Sequence, residues 1–436
     1  MKPILFMKRI CKKTAKTILP SNLYQKARSV YHRTSLPPIQ TIEYAYPKSQ
    51  KLPFGVNLFC YCTDNSAGTE AHLLQLALEA SKVPYQIVDL SRPEKFEKEI
   101  KQVQLYYINL IVCHAASGTP AKLRLFGIDP MKHYNIGYWA WEVSVLPDVF
   151  CAGLDIFQEI WTMSAFCTNT LEKKARVPVL TIPLYANPDR TVLKNGREYF
   201  KFSPNAFLFM IAYDCTSFVS RKNPQAAVQA FMQAFAPEDE QVGLVLKLSY
   251  PDNYKQHIEE LLKLLAPYKN VYYIDSRLSD NEMRTLLHTV NTYVTLHRGE
   301  GFGLVPLEAM SLGTPVISTE YMNHMNTALV GYDLVPVNGE YVGSKQGDGM
   351  VWAEPHVDEA AEHMRRMVHD EQWRKKLIEH GKRTAECYSV HKMILQKGAF
   401  FMWFDTILWL AAIVAFIAVE AATTALVSVW FAVGAA

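Results

Sequence analysis

No C-x-x-C pair occurs in the 436-residue chain, and its eight cysteines are spread along it. That spacing implies neither a zinc site nor a disulfide framework, and it suits reduced, small core residues in a cytosolic protein. Acidic residues are absent from the first 42 positions, which hold nine Lys and Arg. Charge is nearly absent from 406–436, where Glu420 stands alone. No recognisable nucleic-acid module accompanies the basic arm, so nucleic acid is not an expected partner. The apolar run between Lys2 and Lys8 is too short for a secretory core. With 49% hydrophobic and 20% charged residues, the composition excludes a disordered tail protein, a collagen-like repeat and a small disulfide scaffold. The length suits two or three domains.

What remains is a mildly acidic body bracketed by two unusual ends. In the arm, Ile4, Met7, Cys11 and Ile18 recur at helical spacing among lysines and arginines. Such a helix can lie on an anionic membrane surface, and a solvated basic leader fits the same residues. The tail from Thr406 to Ala436 is apolar on every side of any helix drawn through it. It is long enough to cross a hydrocarbon layer of ~30 Å once. Lys392 and Lys397 just before it favour a body on the cytoplasmic side. The alternative is a stretch foreign to the fold, such as a frame change.

Between the ends, short apolar runs alternate with helix-length segments. Val56–Tyr61, Tyr85–Leu90, Tyr106–Cys113, Asn135–Glu142, Glu159–Ser164 and Val177–Leu184 read as strands. A polar pause over about 185–204 follows, and the rhythm restarts with Ala206–Asp214, Val242–Tyr250, Val271–Ser276, Thr292–His297 and Thr314–Thr319. Helices fit Glu70–Lys82, Pro224–Phe235, Asp252–Ala266, Asp280–His288 and the run Val357–Cys387, with Ser279 and Glu282 forming a capping box. Continuous apolar strands between helices argue for parallel sheets covered on both faces. The fold class is therefore α/β, with two doubly wound halves and a deep site between them.

The densest chemistry lies in TLHRGEGFGLVPLEAMSLGTPVIST, residues 295–319. A strand ends at His297, glycines follow at 299, 301 and 303, and a helix begins near Pro306. The amides of Phe302, Gly303, Leu304 and Val305 then face an anion, and the glycines let a diphosphate approach closely. Glu300 and Glu308 flank this cradle. Carboxylates repel phosphate but accept hydrogen bonds from hydroxyls, one from a ribose and one from a sugar. A glycine-rich turn with solvated carboxylates is the competing reading.

E-G-F-G-L-V-P-L-E, continued by A-M-S-L-G-T-P-V-I-S-T, resembles the E-x7-E signature of retaining GT-B glycosyltransferases of the group 1 type. The resemblance spans roughly residues 54–390 and is strongest in the second half. It implies two Rossmann-like domains facing a central cleft, with the donor nucleotide sugar in the second. Ser220-Arg221-Lys222-Asn223-Pro224 is similar to the family's R-K-N-P element, whose cations hold the donor diphosphate. Lys247 is a further candidate cation, and Arg298 either joins them or forms a local salt bridge. The family often has another Arg after the first strand of this half; Asp214-Cys215-Thr216-Ser217 stands there instead. On this resemblance Glu308 takes the ribose and Glu300 a donor-sugar hydroxyl, with Arg221, Lys222 and Lys247 on the diphosphate.

Acceptor-side candidates are Gly68 in the turn after the first strand, His114, and Trp141 with Glu142 at the end of NIGYWAWE. No D-x-D occurs, so cationic side chains rather than a metal are expected to carry the diphosphate, and no cofactor is implied beyond the donor itself. The expected partition is a basic arm (1–50), an acceptor-side domain (51–190), a linker (191–204), a donor domain (205–390) and an apolar tail (391–436). The expected activity is retaining hexosyl transfer to a saccharide or lipid-linked acceptor in cell-surface polysaccharide or glycolipid synthesis. The rivals are a GT-B nucleotide-sugar epimerase or phosphorylase, or a weakly catalytic nucleotide-sugar-binding module.

Overall fold

The computed structural model describes residues 52–62, 66–91, 106–112, 133–151, 154, 156–187, 189–250, 254–321, 327–337 and 349–389. They fall within one compact unit that ends at Ser389. The basic arm, His114 and the apolar tail lie outside the described residues, and so do the membrane expectations attached to the two ends. Among the described residues, no helix is long and apolar enough to cross a membrane.

The first half is built on β1 (Val56–Cys60), β2 (Tyr85–Asp89), β3 (Ile108–Val112), β4 (Tyr134–Trp139), β5 (Glu159–Thr162) and β6 (Val179–Thr181). They form one parallel sheet in the order β2-β1-β3-β4-β5-β6. The central strands β1 and β3 are buried along their whole length, Asn57 and Asn109 included, as mostly apolar strands are when helices cover both faces. Buried amides cross-link this sheet. Gln86 Nε2 donates to Asn57 Oδ1 (2.5 Å), Asn57 Nδ2 to Asn109 Oδ1 (2.8 Å), and Asn109 Nδ2 to Asn135 Oδ1 (2.9 Å). Asn109→Ala breaks the middle of this ladder and strands buried polar atoms, so it should cost about 1–3 kcal/mol. A lowered urea midpoint checks this; an unchanged midpoint contradicts it.

The second half holds β7 (Phe207–Asp214), β8 (Val242–Ser249), β9 (Val271–Ile274), β10 (Thr292–Thr295), β11 (Val316–Thr319) and β12 (Ala328–Val330). Their order is β12-β11-β10-β7-β8-β9, again all parallel. Chain order reverses between β7 and β10, so a crevice opens outside their carboxyl ends. Phe209, Phe231 and Phe235 pack edge-on and tilted in the core beneath. An antiparallel hairpin of β13 (Tyr332–Pro336) and β14 (Val351–Pro355), not anticipated from the sequence, stands apart from both sheets.

Helix boundaries differ from the sequence reading in several places. The run Val357–Cys387 is two helices, Val357–His369 and Glu371–Cys387. Asp370 ends the first with φ −105° and caps the second by accepting from the Trp373 amide. The short linker contains a helical turn, Gly196–Tyr199. The capping box forms as expected: Ser279 Oγ accepts from the Glu282 amide and the Glu282 carboxylate from the Ser279 amide. At the end of the last described helix, the Tyr388 carbonyl accepts from Ala186 N (3.0 Å), tying the second half back to the first.

Candidate active site

Residues after β7 and β10 meet at the switch point of the second sheet. Gly303 has φ +86°, a conformation that favours glycine, and directly precedes the helix Leu304–Ser311. The helix starts two residues before the expected Pro306. Leu307 N already bonds Gly303 O, and Pro306 has no amide hydrogen, so Leu304 and Val305 supply the helix-start N–H groups with no intrahelical acceptor. The Phe302 ring packs edge-on against Tyr388, with centroids 5.6 Å apart.

Across the crevice, the turn Val219–Lys222 delivers two cations. Phe218 and Asn223 bracket it with φ +57° and +49°, which lets the chain reverse abruptly before the Pro224–Ala234 helix. Lys222 Nζ lies 2.5 Å from Glu300 Oε2, with both side chains about one-fifth exposed. Arg221 is buried; its Nη1 donates to Gly299 O (2.7 Å) and its Nη2 to Ser217 O (3.3 Å). The same Nη2 lies 3.6 Å from Glu142 Oε1, a carboxylate of the first half. Burial alone would raise the Glu300 carboxyl, but Lys222, Arg221 and His297 outweigh it and hold it down to about 2. Glu300 therefore stays ionised at neutral pH, and its ion pair contributes stability that is fully present above the ordinary value of 4.5 and is lost as pH falls from there through about 2.

His297, not assigned a role from sequence, sits behind this pair. It is 4% exposed, and its Nδ1 is enclosed without a hydrogen-bond partner. Burial pushes the imidazole down to about 4, helped by Lys222 and Arg221 against the opposing pull of Glu300. The ring is neutral at pH 7 and adds no charge to the cluster.

Glu308 lies one turn into the helix. Burial, with Asp280 adding, pushes its carboxyl up to about 7, while Arg284 and Arg190 pull the other way. A raised carboxyl favours folding fully below its ordinary value of 4.5, and that contribution is lost as pH rises through about 7. Arg284 is held by Asp189 (2.6 Å) and by the Thr191 carbonyl (3.2 Å), so the segment before the helical turn at 196 reaches the Glu308 side of the crevice. Sequence reading treated that segment as a linker and assigned it no site role.

Three assigned cations divide by surroundings. Lys222 faces Glu300 as described. Lys247 is buried in β8, where Nζ donates to Leu248 O (2.9 Å) and approaches Ser249 Oγ (3.4 Å); burial lowers its pKa. Arg298 forms the local salt bridge. Its Nε and Nη2 grip Glu354 of β14 at 2.7 and 2.9 Å, Nη1 donates to Ser220 O, and the guanidinium lies 5.4 Å from the Trp352 ring centroid. Its contacts fasten the hairpin to the turn that carries Arg221 and Lys222, the second of the two roles the sequence leaves open for it.

The acceptor-side expectations are partly corrected. Trp139 and Trp141 are each 1% exposed, so neither offers a stacking face. Trp141 Nε1 donates to Val145 O, and its ring packs 5.6 Å from Phe150, while Trp139 meets Phe157 edge-on. Gly68 lies inside the first turn of the helix Ser66–Ala80 rather than in a loop before it. Glu142 does reach the cluster. Its neighbours close on the glycine turn: a Cβ added at Gly301 would sit 3.5 Å from Glu142 Cγ and Met163 Sδ, and 3.7 Å from Ala140 Cβ. Cys167 Sγ bonds both Trp141 O (3.2 Å) and Gly301 O (3.5 Å), and Val351 N bonds Ser144 Oγ (3.0 Å).

Part of the chain matches a known family. Residues 214–384 match the family described as glycosyl transferases group 1, a span that includes Arg221, Lys222, Glu300 and Glu308. No curated protein matches the chain. HepE of Anabaena in complex with UDP and glucose is similar in structure at 12% identity, covering 80% of this chain and 99% of its own, with a TM-score of 0.58. Sucrose-phosphate synthase of Thermosynechococcus elongatus is similar at 15% identity, covering 81% and 100%, with a TM-score of 0.57. WaaG, a glycosyltransferase involved in lipopolysaccharide biosynthesis, is similar at 11% identity, covering 79% and 99%, with a TM-score of 0.50. The fold shared with these structures is GT-B, two Rossmann-like domains.

Proposed function

We propose that the chain transfers a hexose from a nucleoside-diphosphate sugar to a saccharide or lipid-linked acceptor, with retention of configuration. The observation that carries this reading is the convergence of Arg221, Lys222, Glu300 and the amides of Leu304 and Val305 at the switch point of the second sheet. A leaving nucleoside diphosphate gains charge as the glycosidic bond breaks. Fixed cations and helix-start N–H groups stabilise that charge most at the transition state. Arg221, Lys222 and the two amides hold the diphosphate, with Lys247 a further candidate, and no metal is required. Glu300 accepts a hydrogen bond from a donor-sugar hydroxyl, and Glu308 accepts from the ribose. Neutral His297 fills the space behind Glu300 without cancelling its charge. The similarity to HepE, a protein bound to UDP and glucose, supports a nucleotide sugar as donor.

The test is a panel of UDP-, GDP- and ADP-sugars incubated with membrane lipid and saccharide acceptors. Acceptor-dependent nucleotide release and an α-linked product from an α-linked donor support the reading. Donor consumed without acceptor, or bound without release, contradicts it.

Glu308 adds a pH signature. Only the ionised carboxylate accepts both ribose hydroxyls, so affinity for the nucleoside diphosphate should rise as pH increases through about 7. Glu308→Gln should weaken binding above that pH and flatten the profile. Calorimetric titration between pH 6 and 8.5 checks this, and an unchanged slope in the variant contradicts it.

The basic arm and apolar tail support a station at the cytoplasmic face of a membrane. Fractionating the chain with and without residues 399–436 tests it; a full-length protein wholly in the soluble fraction contradicts the anchor.

A further inference from the structure

Each of the two cations in the Arg221-Lys222 turn already faces a carboxylate. Lys222 pairs with Glu300 of its own half, but Arg221 pairs with Glu142, which follows β4 of the other half. The two pairs differ in kind. At 2.5 Å, Lys222 and Glu300 share a short charge-assisted hydrogen bond. At 3.6 Å, Arg221 and Glu142 attract without such a bond, while the guanidinium is fixed by the carbonyls of Gly299 and Ser217. The arginine is thus anchored independently of Glu142, and Glu142 faces it through charge. Both side chains are largely buried, at 5% and 14% exposure, so the attraction is little screened by solvent.

A diphosphate seated at Arg221 would place its negative charge beside Glu142 in the same enclosed space. Like charges juxtaposed in such a site repel by several kcal/mol. The two anions therefore compete for one cation, and one of them comes from the half that does not hold the donor. From this we infer that Glu142 is a positioning residue, the donor-free counter-ion of Arg221, which the donor diphosphate displaces. It sets donor affinity low when the halves touch through this pair, and its release on donor binding loosens that contact. The inference rests on the placement of the diphosphate at Arg221 and Lys222 given above.

The sign is the distinctive part. Removing a residue beside a binding site ordinarily weakens binding, whereas here it should tighten it. UDP, GDP and ADP are titrated into the wild-type protein by calorimetry, and the one bound best is carried forward with its nucleoside monophosphate. E142Q keeps the shape of the side chain and removes its charge. It should bind the diphosphate about tenfold more tightly, a typical coupling between two sites. The monophosphate, which brings less charge to Arg221, should gain less. E142D draws the carboxylate back from Arg221 and should fall between the two, which keeps the test alive if E142Q does not fold. Unchanged or weaker diphosphate binding in a folded variant overturns the inference while leaving the donor site standing. An equal gain for monophosphate and diphosphate overturns it as well, since the effect would then not follow phosphate charge. If the wild-type protein binds none of the three diphosphates, the donor reading falls and the inference falls with it.

Discussion

Glu300→Ala should lower the turnover of sugar transfer by ~10²-fold or more, the scale on which removing one preorganised group slows an active site. The donor KM should move little. Glu300 is paired to Lys222 and contributes no attraction to a diphosphate, so its removal frees a cation rather than costing one. The carboxylate is about one-fifth exposed, so the variant should fold. Steady-state kinetics with acceptor in excess separates the two parameters. A fall in donor affinity with unchanged turnover would place Glu300 in ground-state binding and remove it from the chemistry.

Lys222→Ala should have the complementary effect, a fall in kcat/KM of about 10²- to 10³-fold with both parameters affected. Lys222 reaches the crevice from a turn whose backbone is fixed by Asn223 in the left-handed region and by Pro224 at the helix start. The side chain is partly exposed, so its loss costs function rather than folding. Arg221 makes the informative contrast. Buried and bonded to two carbonyls, it leaves Gly299, Ser217 and Glu142 without this cation when truncated. Arg221→Ala should therefore cost about 3–5 kcal/mol of stability as well as activity. Thermal melts run beside the kinetics distinguish the two; equal melting for both variants contradicts the contrast.

Much of this arrangement was legible in the sequence because it is local. The glycine turn, the carboxylates at 300 and 308 and the cations at 221 and 222 each lie within a few residues of a strand end or helix start, where periodicity and turn chemistry carry information. Strand positions in both halves follow from largely apolar runs such as Ile108–Val112 and Val242–Ser249, whereas the order of the strands within each sheet does not. What the sequence hid depends on distant pairing. Arg298 reads equally as a donor cation or a local salt bridge because Glu354, its partner 56 residues later, lies on a hairpin strand with little apolar alternation to announce it. Trp141 reads as an acceptor-side candidate because nothing local shows that Phe150 and the Val145 carbonyl enclose it. His297 was within reach, three residues before Glu300 and at a strand end; its burial, and hence its neutrality, was not. Glu142 was named for its place at a sheet mouth, while its pairing with Arg221 belongs to the contact between the halves.

Everything proposed for the site depends on the donor's nucleoside diphosphate sitting at the switch point of the second sheet, and a crystal structure of the protein with a bound nucleoside diphosphate tests that placement directly. The diphosphate should lie within hydrogen-bond reach of Lys222 Nζ and the Leu304 and Val305 amides, with the ribose hydroxyls on Glu308. A nucleotide bound elsewhere, or one whose diphosphate points away from Arg221 and Lys222, would contradict it.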